Sequence, residues 1–242
     1  PHFEKMLYDQ AMLAMAYTEA YQATGINEFE ETAKEIFTYV LRDMTDKEGG
    51  FYSAEDADSE GVEGKFYVWT EDEIRQTLKG DEADLIINVY SIDKIGNFRD
   101  EASGENTGAN ILHLNKSLTE IAFKNKESVD GLKESVEAAR QKLFAVRNKR
   151  VHPHKDDKIL TDWNGLMIAA LAKGAQAFDE PKYAEAAKRA ADFILTGMRR
   201  EDGRILHRYR DGHTAILANV DDYAFLIWGL LELYETVFDV DY

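Results

Sequence analysis

Hydrophobic residues recur along the chain in two kinds of helical pattern. Residues from Asp9 to Ala23, from Trp163 to Phe178 and from Asp222 to Phe238 are apolar almost all round a helix, which is typical of a helix enclosed by others. The segments from Phe29 to Met44 and from Tyr183 to Met198 keep their apolar residues on one stripe, which predicts helices with one face in water. The chain is therefore predicted to alternate enclosed and outer helices.

The two helical couplets align with each other. Tyr183 follows Phe29 by 154 positions (183 − 29), and Asp9, Asp162 and Asp222 each stand at or just before the first turn of an enclosed helix. Two concentric layers of this kind predict an all-α fold, an (α/α)6 toroid, with a solenoid as the alternative. A complete toroid has twelve helices and needs a longer chain, so residues 1–242 are expected to form a single incomplete toroid domain.

The middle of the chain departs from this pattern, and residues from about 51 to 117 are predicted to be insert-like. Thr70 followed by Glu73 is a capping box, which predicts a short helix after it. The Gly- and Asn-rich segment 96–114 is expected to form loops with a short β hairpin. A single apolar stripe within 118–150 predicts one or two further helices.

Composition and charge narrow the possible partners. The 242 residues include 46 acidic and 29 basic side chains, a formal charge of −17, which argues against binding nucleic acid or an anionic membrane. No apolar run is long enough to cross a bilayer, and the absence of cysteine excludes disulfides, thiolate catalysis and cysteine-bound metals. No cofactor is expected. Both ends look cut, no signal segment opens the chain, and a cytoplasmic location is expected.

The first candidate site is an acidic loop. Asp56, Asp58, Glu60 and Gly61 copy the opening of an EF-hand calcium loop, but Tyr67 occupies the position of the closing glutamate. A different cation site, a plain acidic turn and a pocket wall that receives polar ligands remain open.

The second and third candidate sites lie at the starts of two enclosed helices. Asp162, Trp163 and Asn164 offer a carboxylate, an indole face and an amide. Asp222 and Tyr223 likewise offer a carboxylate and an aromatic face. Paired carboxylates can transfer protons, and aromatic rings offer a sugar a flat apolar face. The alternative is that the aspartates only cap their helices.

Two weaker candidates involve histidine. His2 lies near Asp9 at the first enclosed helix and could join a binding site. His152 and His154 look like a metal pair, but Pro153 extends the backbone between them, and alternate residues then point to opposite sides. No metal site is therefore predicted.

The longer motifs resemble one family. The stretches 1–10, 56–61, 66–70, 155–165 and 221–225 look like the thioredoxin-domain-containing family of the YyaL type, which includes the spermatogenesis-associated protein 20 homologues. The resemblance covers essentially the whole chain. It implies an N-terminal thioredoxin-like domain, absent from this fragment, followed by an (α/α)6 toroid like those of N-acylglucosamine epimerases and six-hairpin glycosidases.

The predicted function is a toroid that binds a carbohydrate or another polar small molecule, with possible epimerase- or glycosidase-like acid–base chemistry. The alternative is a non-catalytic protein-binding module serving the thioredoxin-like domain. The predicted catalytic residues are Asp162, Asp222, Asp58 and Asp9, and the predicted binding residues are Trp163, Asn164, Tyr223, Asp56, Tyr67 and His2. Apolar helix faces left uncovered by truncation are expected to cause self-association.

Overall fold

The computed structural model describes residues 3–99 and 104–242. The described helices are α1 (Leu7–Thr24), α2 (Asn27–Asp43), α3 (Glu71–Thr77), α4 (Asp81–Val89), α5 (Leu118–Asn125), α6 (Val129–Arg147), α7 (Thr161–Phe178), α8 (Pro181–Gly197) and α9 (Val220–Val237). The described strands are β1 (Lys5–Met6), β2 (Ala54–Glu55), β3 (Asp58–Ser59), β4 (Val62–Glu63), β5 (Lys155–Asp156), β6 (Ile159–Leu160), β7 (Leu206–Arg210) and β8 (His213–Leu217). The all-α fold class with short hairpins is confirmed.

The chain divides into two compact units. One comprises Ala57–His154, and the other comprises the residues up to Asp56 together with Lys155–Tyr242. The first is thus inserted into the sequence of the second, and we call it the inserted unit. It extends beyond the insert-like segment predicted at 51–117, because α5 and α6 pack with α3 and α4 on one hydrophobic core. The other unit is called the helical-hairpin unit below.

The helical-hairpin unit has two layers of helices. The inner helices α1, α7 and α9 pack side by side, with α2 against α1 and α8 against α7. Lys173 on α7 pairs with Glu19 on α1 (3.5 Å) and with Glu232 on α9 (3.2 Å). Since these residues lie at equivalent heights, the inner helices run parallel and in register. Residues 154 positions apart, such as Glu19 and Lys173, and residues 60 positions apart, such as Gln176 and Thr236, are therefore neighbours in space, in a toroid-type arrangement.

The inner helices differ in burial more than their sequences predict. Nearly all of α7 is buried, as expected, because it has α1 on one side and α9 on the other. Only one side of α9 is buried, however, and Ile227, Leu231 and Tyr234 remain exposed. On α1, Met12 and Leu13 are likewise exposed. The prediction that all three helices are enclosed is therefore wrong for α1 and α9. Among the described elements, each of these two has an inner helix, α7, on one side only.

Two glycines allow α7 and α9 to approach closely. A Cβ atom added at Gly165 would lie 2.5 Å from the backbone nitrogen of Leu226, and one at Gly229 would lie 2.5 Å from the carbonyl oxygen of Gly165. No side chain fits at such a separation. This contact brings the first turns of the two helices together, and those turns carry the acidic residues discussed below.

Short antiparallel sheets hold the connections of the helical-hairpin unit. In the first sheet the strand order is β1–β2–β5, and Glu55 of β2 lies between Lys5 and Lys155. In the second the order is β6–β7–β8, and Arg208 of β7 lies between Leu160 and Ala215. The β7–β8 hairpin was not predicted. Its turn is Asp211-Gly212, with φ values of 51° and 77°, the left-handed pair that a two-residue hairpin requires.

The inserted unit contains the other described hairpin. Strands β3 and β4 pair around Glu60 and Gly61, so the acidic loop is a tight turn in which Lys65 pairs with Glu60 at 2.8 Å. The capping box of Thr70 and Glu73 is present at the start of α3, as predicted. Within 96–114, where a short hairpin was expected, an antiparallel bridge joins Arg99 to Asn106, and residues 100–103 between them lie outside the described residues. A second isolated bridge joins Asn110 to Trp69.

Candidate functional site

Asp222 is the buried centre of a polar cluster at the start of α9. Its side chain is 1% exposed, and it accepts the backbone N–H of Asn219 at 2.7 Å as part of a capping box. It also accepts the backbone N–H of Asp162, at the start of α7, at 3.1 Å. The carboxylate therefore joins the first turns of two neighbouring inner helices. Its neighbour Asp221 is exposed, so the pair of aspartates divides into one buried and one solvent-facing residue.

His207 completes this cluster. Its Nδ1 lies 2.8 Å from Oδ1 and 3.1 Å from Oδ2 of Asp222. Because a carboxylate only accepts hydrogen bonds, Nδ1 carries the proton, which leaves Nε2 of the neutral ring as an acceptor. Strand β7 is fixed at this point, since the Thr161 hydroxyl donates to the carbonyl of Leu206 at 2.7 Å.

Asp162 brings a second carboxyl group to the same place. One ligand atom each of Asp162, His207 and Asp222 lies within 4.8 Å of the others. Burial raises the pKa of the Asp162 carboxyl; the backbone N–H of Trp163, at 2.8 Å, opposes this rise, and the charge of Asp222 adds to it. We call these three residues the acid–base cluster.

The donor set of the acid–base cluster fits proton transfer better than metal binding. The two Asp222 oxygens together accept the N–H groups of Asn219, Asp162 and His207, so Nε2 of His207 and the Asp162 carboxyl are the less engaged members of the set. Within the described ranges this is the one group of three such side chains. His152, considered above as a metal ligand, instead packs on Phe66, with ring centroids 4.6 Å apart.

Aromatic residues lie beside the acidic ones at all three inner-helix starts. The rings of Tyr8 on α1 and Trp163 on α7 meet edge to face, with centroids 4.9 Å apart. The hydroxyl of Tyr223 on α9 accepts the backbone N–H of Ile205 at 3.2 Å. Tyr8 and Tyr223 are 36% and 38% exposed and Trp163 is half-buried, so this end of the helices carries partly open aromatic surface. Asp9 is exposed next to Tyr8.

Asn164 has a structural contact that the sequence does not reveal. It is fully buried, accepts the Phe51 N–H at 2.8 Å, and donates to the carbonyl oxygens of Phe51 at 3.0 Å and Leu160 at 2.9 Å. Its amide therefore ties the segment after α2 to the start of α7.

The remaining predicted site residues lie elsewhere. Asp56 is exposed at the end of the helical-hairpin unit, just after β2. Asp58 and Tyr67 belong to the inserted unit, where Asp58 is exposed in β3 and the Tyr67 ring contacts Phe66. His2 lies outside the described residues. The roles predicted for these residues stay predictions.

A cavity of about 500 Å³ in the helical-hairpin unit lies apart from the acid–base cluster. Its carboxylates already have partners: Asp46 accepts the Tyr52 hydroxyl at 2.8 Å, and Glu48 accepts the Tyr209 hydroxyl. Asp157 pairs with Arg210 at 2.7 Å. We therefore place the candidate site at the acid–base cluster, where a histidine and a carboxyl group with a raised pKa converge.

Comparison with known proteins identifies relatives. Human spermatogenesis-associated protein 20 is 34% identical over 97% of this chain, and an uncharacterized protein from Caenorhabditis elegans is 36% identical over 98%. The chain spans about a third of the length of these curated relatives, 33% and 36% respectively. No family model matches it.

Solved structures resemble the chain only distantly. Cellobiose 2-epimerase from Spirochaeta thermophila DSM 6192 is 15% identical with a TM-score of 0.29, over 98% of this chain and 72% of that one. A family 105 glycoside hydrolase from C. acetobutylicum ATCC 824 is 16% identical with a TM-score of 0.33, over 97% and 66%. Such scores support no inference, so the toroid-type fold rests on the helix packing described above.

The described residues include no helix that is both long and apolar enough to cross a membrane.

Sequence identity of about a third over almost the entire chain is the strongest result of the comparisons. The chain is therefore a homologue of spermatogenesis-associated protein 20 along nearly all of its length, which confirms the family that its motifs predicted.

Proposed function

We propose that this chain binds a hydroxyl-rich small molecule of sugar type and exchanges protons with it through Asp162 and His207. The observation that carries the proposal is the hydrogen bond from His207 Nδ1 to the buried Asp222, within 4.8 Å of a second carboxyl group. A histidine whose tautomer is fixed by a buried carboxylate is a common arrangement for a general base.

Each member of the acid–base cluster has a separate role. His207 accepts a proton at Nε2, because its Nδ1–H is committed to Asp222. Asp162 donates a proton, because burial raises the pKa of its carboxyl and so keeps it protonated at higher pH than an ordinary aspartate. Asp222 is a positioning residue, which holds the imidazole and the start of α7 in place.

This division of roles favours proton transfer of the isomerase or epimerase type. Two-carboxylate glycoside hydrolysis needs one carboxylate free to attack the sugar or to activate water. Asp222 is not free, because backbone and imidazole N–H groups occupy both of its oxygens. A proton removed from a carbon by His207 and returned from Asp162 needs no such free carboxylate.

The aromatic residues beside the acid–base cluster support a ligand with apolar ring faces. Sugars present C–H groups on one face and hydroxyls at the rim, and recognition sites combine apolar surface with a few polar groups. Tyr8, Trp163 and Tyr223 supply the surface, and Asp162 and His207 the polar groups.

Solvent-exchange NMR tests this proposal directly. A panel of mono- and disaccharides incubated with the protein in D₂O is expected to gain deuterium at a carbon next to the carbonyl. His207→Gln and Asp162→Asn are expected to lower the exchange rate at least 100-fold, on the scale of a lost general acid or base. Asp221→Asn is the matched control, since it removes the same charge one residue from Asp222.

The outcomes separate catalysis from binding. If sugars bind at millimolar concentration but gain no deuterium, the proton-transfer role is wrong. If none of the panel binds, the sugar site itself is wrong.

A second candidate function, a protein-binding module, is favoured by one surface. Along α9 a stripe of large apolar side chains is exposed, comprising Val220, Tyr223, Ile227, Leu231, Tyr234 and the following Phe238. Such continuous stripes commonly mark interaction sites. This function predicts that Ile227→Glu abolishes recruitment of a protein partner, whereas Asp162→Asn leaves recruitment unchanged.

A further inference from the structure

The inserted unit has a cavity of its own, of about 200 Å³, which reaches the hydrophobic core of that unit. Trp69 and Leu143 line it and are core residues, only 3% and 4% exposed. The half-buried side chains of Tyr90, Leu112 and Phe144 extend this apolar lining. Every lining residue belongs to Ala57–His154, so the cavity is complete within one unit.

The two remaining lining residues are arginines on α6. Arg140 and Arg147 are seven positions apart, about two helical turns, so they lie on the same face of the helix. The Arg147 guanidinium packs among three aromatic rings, with centroids 5.3–5.5 Å away, those of Phe66, Phe144 and Tyr67. Such cation–π contacts hold the planar group in place at the cavity wall.

Arg140 lies nearer to solvent. It pairs with Glu137 at 2.6 Å, and both side chains are 49% exposed. Exposed ion pairs of this kind contribute little free energy, so the guanidinium can turn to a ligand at low cost. The cavity therefore combines an arginine held by aromatic rings with a second that is adjustable.

The apolar part of the lining is held in place without a ligand. The Arg150 guanidinium lies 4.2 Å from the centroid of the Trp69 ring and donates to the carbonyl oxygen of Val68 at 2.7 Å. The backbone of Trp69 also exchanges two hydrogen bonds with that of Asn110, at 3.0 and 2.8 Å. A preformed lining of this kind is typical of small-molecule sites, since little order has to be gained on binding.

The lining selects for a particular ligand chemistry. Aromatic and aliphatic side chains favour a flat apolar body, and guanidinium groups match a carboxylate. None of the described lining residues is acidic, although the whole chain has a net charge of −17. The volume corresponds to roughly seven waters at about 30 Å³ each, which is close to one aromatic ring with a short acidic arm.

We propose that this cavity binds a small aromatic carboxylate, with the ring against Trp69 and Leu143 and the carboxylate on Arg140 and Arg147. The site lies in the inserted unit and takes no residue from the acid–base cluster. The inference is therefore independent of the proposed sugar-type function.

Titration of the intact chain with three matched probes tests the inference. Phenylacetate carries a ring and a carboxylate, 2-phenylethanol carries the ring alone, and acetate carries the carboxylate alone. Two-dimensional ¹H–¹⁵N NMR follows the indole N–H of Trp69 and the amides of α6. We expect phenylacetate to shift these signals and to bind at least 10-fold more tightly than either of the other probes.

Variants of α6 assign the carboxylate to its arginines. Arg140→Gln and Arg147→Gln are each expected to weaken phenylacetate binding at least 5-fold and to leave the binding of 2-phenylethanol unchanged. Lys142→Gln is the matched control, because it removes a positive charge from the same helix at a residue that pairs with Glu82 at 2.6 Å and does not line the cavity. If Arg147→Gln does not fold, Arg140→Gln, which alters an exposed side chain, decides the comparison.

Three results would overturn the inference. The first is no binding of phenylacetate up to about 10 mM. The second is equal affinity for phenylacetate and 2-phenylethanol, which would remove the role of the arginines. The third is a set of shifts confined to the indole N–H groups of Trp163 and Trp228, which would place the ligand elsewhere. None of these results bears on deuterium exchange into sugars, so the proposed function is tested separately.

Discussion

Asp162 shows how one residue serves both the helix and the site. Its carboxylate accepts the Trp163 N–H at the start of α7, yet burial raises its pKa, which means that the charged form is disfavoured where it lies. A residue kept only to begin a helix would gain from being charged there. Such a conflict between helix capping, which favours the charged carboxylate, and burial, which disfavours it, is typical of functional residues.

The first prediction concerns the stability of Asp162→Asn. Between the ordinary pKa of about 3.9 and the raised value, the folded chain holds a proton that the unfolded chain has released. The free energy of unfolding of the wild type therefore falls as pH rises through this window, and it stays lower above it. Asparagine keeps the acceptor for Trp163 and has no charge, so the variant should gain stability relative to the wild type, by at most about 1 kcal/mol for a half-buried group.

Urea unfolding between pH 3.5 and 8 measures this difference. Asp221→Asn is the control, because it removes an exposed carboxylate from the first turn of α9. A constant loss of stability for Asp162→Asn at every pH would show that the residue acts only at the helix start.

The sequence identified two of the three residues of the acid–base cluster. Asp162 and Asp222 were found because they stand at the starts of apolar helices, and the structure brings those starts together. His207 was not predicted, because no strand is predicted over the residues of β7. The signal was present, however, since Asp211-Gly212 between two alternating runs is a strong hairpin sequence. Asn164 could not be interpreted from sequence, as its partner Phe51 is 113 residues away.

At the scale of helices and strands, the sequence predicted how the inner helices align along their axes and which of them are adjacent. It did not predict how much of each helix is buried. Apolar periodicity shows which side chains of a helix are suited to burial. It does not show which neighbouring element, if any, covers them. The sequence of α9 is as apolar as that of α7, yet only α7 has an inner helix on both sides. The outer helices were predicted better, because a polar face fixes the orientation of α2 and α8.

The second prediction concerns the close contact of α7 with α9. Gly165→Ala should destabilise the chain by about 1–3 kcal/mol, the usual cost of forcing atoms into a packed site, because the new Cβ would meet the backbone at 2.5 Å. Gly197→Ala at the end of α8 is the control: its nearest neighbour would be 3.8 Å away, so it should be neutral or stabilising by up to about 1 kcal/mol. Thermal and urea unfolding measure both. Equal effects would mean that α7 and α9 do not approach through Gly165.

At the scale of the whole molecule, the inserted unit begins and ends at neighbouring strands of the other unit. The chain leaves at Asp56, after β2, and returns at Lys155 in β5, and Glu55 is paired with Lys155. The single domain over 1–242 that the sequence predicts stays a proposal, since two units with separate cores can also fold separately.

The third prediction is that Ala57–His154 can be removed. Replacing it with a short Asn-Gly-containing turn should leave a helical chain with a cooperative unfolding transition, because β2 and β5 already form an antiparallel pair of hairpin type. Circular dichroism and calorimetry of the shortened chain, compared with the intact one, are the measurements. A molten or aggregated product would show that the helical-hairpin unit depends on the inserted one.

The fourth prediction concerns self-association, which the sequence led us to expect. The exposed stripe on α9 favours it, but the exposed carboxylates of Asp221 and Glu235 on the same helix repel a second copy. Association should therefore increase with salt, which screens exposed charges over about 10 Å at 0.1 M. Light scattering between 0.05 and 1 M NaCl tests this, with Ile227→Glu expected to stay monomeric. A monomeric wild type at all salt concentrations and micromolar protein would contradict the expectation.

The placement of the inserted unit also has a consequence for the order of folding. During synthesis α1 is complete 137 residues (161 − 24) before α7, the helix against which it packs, begins. This delay leaves apolar surface uncovered while the chain grows. Contacts so distant in sequence form slowly, since a long loop must close first. If Ala57–His154 folds as it emerges, it shortens that loop and brings its own ends, and so β2 and β5, within reach of each other. The inserted unit would then speed the packing of α1 against α7, although it separates these helices in sequence.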